Sequence, residues 1–210
     1  ATAYYPYIGG TIPTNLDVVN PYYKDFVEAK NKKPGEVFTA DEQKEFITQL
    51  VEGAGYSLGG DGVYVDSNGN RLEYTFTIAG QETDHPAWQA LFLAGTFLNK
   101  CGFKITTTTD AQALKKLASG SLTVWAAAWS STIDPDMYQV YHKDSKASST
   151  NNWGYKQILQ NIGNKYNREL AIVNDLSDLI DQAREITDEN KRAAIYKDAL
   201  DEVMKLAVEL

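Results

Sequence analysis

The chain is poor in cysteine and histidine, with one Cys and two His in 210 residues, and no apolar run approaches the roughly 18 residues of a membrane helix. A lone Cys101 excludes an internal disulfide. Its setting, Leu98-Asn-Lys-Cys-Gly102, reads as a helix end with a buried, inert thiol. Cations are also scarce: 20 Lys and Arg stand against 28 Asp and Glu, a net charge of −8. Nucleic-acid binding normally needs a basic stripe, so that class is set aside. Neither His85 nor His142 sits in a nucleophile–base motif, and there is no Gly-x-Ser-x-Gly. No acid/base carboxylate pair can be drawn from spacing, so no catalytic residue is assigned and the chain is read as a non-enzyme. The residues imply no cofactor.

Metal binding fails on similar grounds. Asp66, Asn68 and Asn70 fill the first, third and fifth places of a calcium loop, but Arg71 and Thr77 stand where Gly and Glu are required. The segment is therefore read as a turn between strands. Asp134, Asp136, His142 and Asp144 match no known ligand spacing.

What the chain has is aromatic residues, 13 Tyr and 4 Trp, with an ordinary 43% hydrophobic content. Residues 1–38 read as an irregular aromatic arm (Tyr4, Tyr5, Tyr7, Ile8) followed by a short helix capped by Asn20, with Pro21 at its first position. Residues 39–210 read as one α/β unit. Thr39-Ala-Asp-Glu42 is a capping box, opening a helix with Phe46, Ile47, Leu50, Val51 and Ala54 inward. Val63–Val65 and Leu72–Ile78 read as two strands joined by Asp66–Asn70, with Leu72, Tyr74, Phe76 and Ile78 on one buried face. A helix from Pro86 carries Trp88, Leu91, Phe92, Gly95 and Leu98 and ends at Gly102. A strand over 103–107, a helix over 110–118 and a strand over 122–129 follow. Short connections between alternating strands and helices predict an α/β fold with a mainly parallel sheet flanked by helices.

The strand from Leu122 is nearly all apolar, as a strand buried on both faces should be, and is read as the central one. Trp125 and Trp129 share a side; Trp125 is expected in the core and Trp129 at the strand end. Ser130, Ser131, Thr132 and Asp134 follow before Pro135. Aromatic and polar residues at the carboxyl end of such a strand mark where open α/β sheets bind ligands. A plain core strand followed by a loop meets the same pattern. Residues 137–154 read as a polar loop, with a short helix near 155–162 and two long amphipathic helices, the second capped by Thr187-Asp188.

These passages, in this order, resemble family 5 solute-binding proteins of ABC importers, the oligopeptide- and dipeptide-binding group. Leu50-Val-Glu-Gly-Ala-Gly-Tyr56 with Asp61-Gly-Val63 is similar to the family's helix-to-turn passage, and Leu72–Ile78 to its following strand. Trp88–Val124 resembles its helix–strand–helix–strand passage, and Trp125–Tyr138 its Trp-to-Asp-Pro segment. Leu179, Ala183, Thr187, Asp188, Arg192, Tyr196 and Ala199 fall as in its closing helices. The likeness runs from about residue 40 to the end. It implies one lobe of a type II periplasmic-binding-protein-like, two-lobed fold, excised from a larger extracytoplasmic protein. That location would be periplasmic, or cell-surface through a lipid anchor absent from this chain.

The implied partners are a small-molecule or peptide ligand and the importer's permease. The implied site has Trp129 stacking on ligand, Ser130, Ser131 and Thr132 donating hydrogen bonds, and Asp134 ordering the loop or meeting a cation. Asn152 and Trp153 would line the cleft. Peptide binders of the family place an Asp three residues after the tryptophan; here that position is Thr132. Two other classes stay open from the residues: an interaction domain using the aromatic arm, and an α/β hydrolase.

Overall fold

The computed structural model describes residues 11–16, 21–80, 86–127, 136–147 and 154–207. The chain divides into two compact units, one of residues 2–114 with 122–128, the other of residues 1, 115–121 and 129–210.

In the first unit, α1 (Pro21–Ala29) starts at the expected proline. Its Tyr23, Phe26 and Val27 form a core with Ile12, Phe38 and Phe46, the last from α2 (Ala40–Gly53). The division drawn between 38 and 39 runs through this cluster. Phe26 packs on Phe38 and Phe46 with ring centroids 5.0 and 4.8 Å apart, so α1 and α2 fold together. The capping box is formed: the Thr39 N–H donates to Glu42 Oε2 (2.8 Å) and the Glu42 N–H to Thr39 Oγ1 (3.2 Å). Of the face expected on α2, Phe46 and Val51 are buried, but Leu50 and Ala54 are exposed.

β1 (Ser57–Leu58) pairs antiparallel with β2 (Tyr64–Val65). The expected hairpin is reduced to one bridge, Val65 with Arg71. Asp66 fills the turn: its Oδ1 accepts from the N–H groups of Asn68 and Asn70 (both 2.8 Å) and its Oδ2 from the Asn70 side chain. β3 (Glu73–Ala79) leaves that pairing for a parallel sheet with β4 (Lys104–Asp110) and β5 (Val124–Ala126), in the order β4-β3-β5. The central strand is therefore β3. β5 is three residues long, half-buried, and lies outside β3. Thr77 is as buried as its neighbours Phe76 and Ile78, so β3 is covered on both faces there rather than on one.

α3 (Pro86–Lys100) packs on β3 and β4. Gly95 sets the approach: a Cβ there would lie 2.8 Å from Ile105 Cγ2 and 3.1 Å from Thr107 Oγ1. Phe92 is 49% exposed. Cys101 is buried as expected, and burial raises its thiol pKa. α4 (Ala113–Ala118) buries Ala113 and Leu117 and exposes Leu114.

The second unit holds α5 (Tyr138–Tyr141), α6 (Lys156–Gln160), α7 (Asn167–Glu185) and α8 (Glu189–Leu206). α8 is capped by Asp188, whose side chain accepts from the Lys191 N–H (2.9 Å). α7 and α8 run antiparallel: Arg168 at the start of α7 donates to the Lys205 carbonyl at the end of α8 (2.8 Å). Leu176, Ile180, Ala199 and Val203 are the seam between them.

Candidate functional site

In the first unit β3 is followed by β4 on one side, and the chain then returns to lay β5 on the other. Where successive strands go to opposite sides of their predecessor, the connecting segments diverge and leave an opening at the carboxyl ends. Here that switch falls between β3 and β5, whose ends are in register, Ile78 opposite Ala126. On the other side of β3 the Gly80 N–H donates to the Asp110 carbonyl (3.2 Å), holding the β3 and β4 ends together. Trp125, Ala126 and Ala127 are half-buried; Trp125 is not the fully buried core residue expected. The residues predicted to contact ligand, Trp129, Ser130, Ser131, Thr132, Asp134, Asn152 and Trp153, lie outside the described residues, as do the aromatic arm and His85.

The second unit carries a polar arrangement that the sequence reading missed. Residues 137–154 read in sequence as a polar loop. Met137, His142 and Ser145 are instead buried, because α5 lays this stretch on α7. Asp136 Oδ1 accepts from the Tyr138 N–H (3.0 Å), and its Oδ2 pairs with Arg184 Nε (3.2 Å). The Arg184 guanidinium sits 4.4 Å from the Tyr138 ring centroid, and the His142 ring stacks on Tyr138 with centroids 4.2 Å apart. His142 Nδ1 accepts from the Asp144 N–H (3.0 Å), and its Nε2 meets Asp181 Oδ2 (3.3 Å). The fully buried Ser177 accepts from the Lys143 N–H (3.0 Å) and donates to the Val173 carbonyl (2.7 Å). Tyr155 donates to the Tyr141 carbonyl (2.7 Å), and burial drives its hydroxyl pKa well above the ordinary range. The signal available in the sequence was the i, i+4 pair Tyr138 and His142 on one side of a turn of helix.

The His142–Asp181 pair has the outline of a catalytic dyad but not its chemistry. A general base needs a free ring nitrogen within reach of substrate. Both nitrogens of His142 are engaged, and its side chain is 3% exposed. Among the described residues no group of three or more His, Cys, Asp or Glu side chains is arranged to hold a metal ion. A groove of about 780 Å³ lies between α1 and α2, floored by Phe26 and Phe46 and bordered by Tyr22, Leu50 and the Lys30–Glu45 ion pair (2.6 Å).

No protein-family model matches the chain, and no curated protein matches it in sequence. Solved structures do. The oligopeptide-binding protein AppA from Bacillus subtilis, in complex with a nonapeptide, superposes with a TM-score of 0.57 at 18% identity, over 79% of this chain and 29% of that one. NikA from Brucella suis, in complex with Fe(III)-EDTA, gives 0.56 at 19% identity over 84% and 32%. The periplasmic EDTA-binding protein EppA gives 0.54 at 19% identity over 96% and 32%. The chain thus spans about a third of the length of these proteins. The chain has the α/β fold of one lobe of periplasmic-binding-protein-like structures, a parallel sheet flanked by helices.

Proposed function

We propose that this chain is the ligand-binding lobe of an extracytoplasmic solute-binding protein of an ABC importer, that its ligand is a peptide, and that the whole protein closes on the ligand before delivering it to a permease. The observation that carries the reading is the β4-β3-β5 parallel order. It creates a switch point at the end of β5, and Trp129, Ser130, Ser131, Thr132 and Asp134 are the residues that follow β5 in sequence. A flat aromatic followed by three hydroxyls suits a ligand held by stacking and neutral hydrogen bonds. The committed nitrogens of His142 further support binding without chemistry. With Thr132 where peptide binders of the group carry an aspartate, the ligand is a peptide with a blocked or differently oriented amino end, or else not a peptide.

Native mass spectrometry of the full two-lobed parent, purified without refolding, tests this. A co-purified peptide-sized ligand is expected. In that parent Trp129→Ala should weaken ligand binding about tenfold or more, as truncating a central aromatic contact does. Unchanged affinity would remove Trp129 from the site, and peptide hydrolysis by the purified chain would sink the non-enzyme reading. A second reading, a protein-interaction module, draws on the groove beside exposed Tyr22 and Leu50. Loss of partner binding in Leu50→Asp with ligand binding intact would favour it.

A further inference from the structure

The buried histidine of the second unit is tied to its own turn by a bond that only one protonation state allows. A backbone N–H can only donate, so the Asp144 N–H directed at His142 Nδ1 (3.0 Å) fixes that nitrogen as an unprotonated acceptor. The ring proton is then on Nε2, where it donates to Asp181 Oδ2 (3.3 Å). His142 is thereby held as the neutral Nε2–H tautomer. A second proton would have to go on Nδ1, placing N–H against N–H at the Asp144 amide.

Three further hydrogen bonds hold the same turn. The Ser145 N–H donates to the His142 carbonyl (3.0 Å), the buried Ser145 hydroxyl to the Gln139 carbonyl (2.6 Å), and the Ala147 N–H to Ser145 Oγ (3.3 Å). We propose that His142 is a pH-operated latch: neutral, it closes the 142–147 turn onto α5, and on taking a second proton it releases the Asp144 amide and opens that turn locally. The inference stands on the second unit alone and does not need the solute-binding reading.

The charged groups around the ring set the balance. From α7, Asp181 faces Nε2 and attracts the imidazolium; it is well exposed, so solvent weakens that pull. Arg184, also from α7, acts through the Tyr138 ring and is paired with Asp136. Within the turn, Lys143 bonds Asn174 (3.1 Å) and lies 3.8 Å from Asp178, both on α7. Asp144 contributes its amide. α8 reaches the cluster under α5 through Ala199, Val203 and Tyr196, and α6 is preceded by Tyr155, bonded to the Tyr141 carbonyl.

The test follows the full 210-residue chain by NMR from about pH 8 to about pH 5, the span over which histidine changes charge. Long-range imidazole spectra read the tautomer, and amide protection factors, corrected for intrinsic exchange, read the turn. The Nε2–H tautomer is expected at the alkaline end. As His142 gains its proton, protection at Asp144, Ser145 and Ala147 should fall about five- to tenfold, the worth of one such hydrogen bond. The amides of Val173, Leu176 and Ile180 should keep theirs. In His142→Asn the new Oδ1 can accept the Asp144 N–H as in an Asx turn, so the turn should stay closed throughout. Should that variant fail to fold, the wild-type titration decides alone. An Nδ1–H tautomer, a protonated ring with the turn still closed, a ring and turn unchanged over the whole span, or loss extending into α7 would each overturn the proposal. So would the same acid opening in His142→Asn.

Discussion

Gly95→Ala should destabilise this protein, although alanine is the better helix former, and the sign should reverse when Ile105 is cut back. Gly95 lies inside α3, where replacing Gly by Ala gains about 1 kcal/mol. Against that, the new methyl would sit 2.8 Å from Ile105 Cγ2 and 3.1 Å from Thr107 Oγ1. Ile105 is buried on β4 and branched at Cβ, so its Cγ2 cannot swing aside. The helix cannot retreat easily either. Asn99 grips β4 beside it, accepting from the Ile105 N–H (2.6 Å) and donating to the Ile105 carbonyl (3.1 Å). Overpacking of this kind costs about 1–3 kcal/mol, so the net loss should be about 1 kcal/mol.

Ile105→Ala removes Cγ2 and should cost about 2–5 kcal/mol by itself. Adding Gly95→Ala to it should then recover up to about 1 kcal/mol, because the methyl enters the space Cγ2 vacated and only the 3.1 Å approach to Thr107 Oγ1 still opposes the helix gain. Urea unfolding of the four proteins gives the cycle, with unchanged slopes required for the comparison. A stabilising Gly95→Ala in the intact background would refute the close approach of α3 to β4, as would an equal loss in both backgrounds.

Three further outcomes follow. Thr39→Ala removes the side chain that caps α2 and should lower stability by about 1 kcal/mol in the same urea assay. Ser177→Ala leaves the Lys143 N–H without its acceptor in a buried setting, and should cost about 1–3 kcal/mol while speeding amide exchange at Lys143. Acid should erode the first unit through four carboxylates with lowered pKa values: Glu42 by the Thr39 N–H, Asp61 by Arg71, Asp66 by the Asn70 side chain, and Glu73 by Lys104. Folded values below unfolded ones give stability that is present above about pH 4.5 and lost as pH falls through the folded values. Urea midpoints that stay level from about pH 5 to about pH 3 would contradict this.

What the sequence disclosed tracks where side chains meet their own element. The capping box Thr39–Glu42, the Pro21 start, the Asp188 cap and the period of α7 are local, and each is found where the residues predict it. What it hid depends on neighbours far along the chain. Leu50 repeats at helical spacing with Phe46 and Val51, yet α1 covers only part of that face and leaves Leu50 39% exposed. Ser145 and His142 look like loop residues, and only α7, some 35 residues later, supplies the Asp181 and Ser177 that satisfy this stretch once it is buried. Of the predicted ligand contacts, legibility stops at Ala127, the last described residue before Trp129.

The placement of β5 outside β3 changes the reasoning for a ligand site more than it changes the fold. A long central strand would deliver Trp125 and Trp129 into a sheet covered on both faces, and packing alone would then account for them. β5 is instead three residues long and leaves Trp125 half-buried. Ligands of open parallel sheets sit at switch points, and here the switch falls between β3 and β5. The same order makes the site separable by experiment. Residues at the β3–β4 side, where Gly80 bonds to Asp110, should tolerate change without loss of ligand, whereas residues following β5 should not.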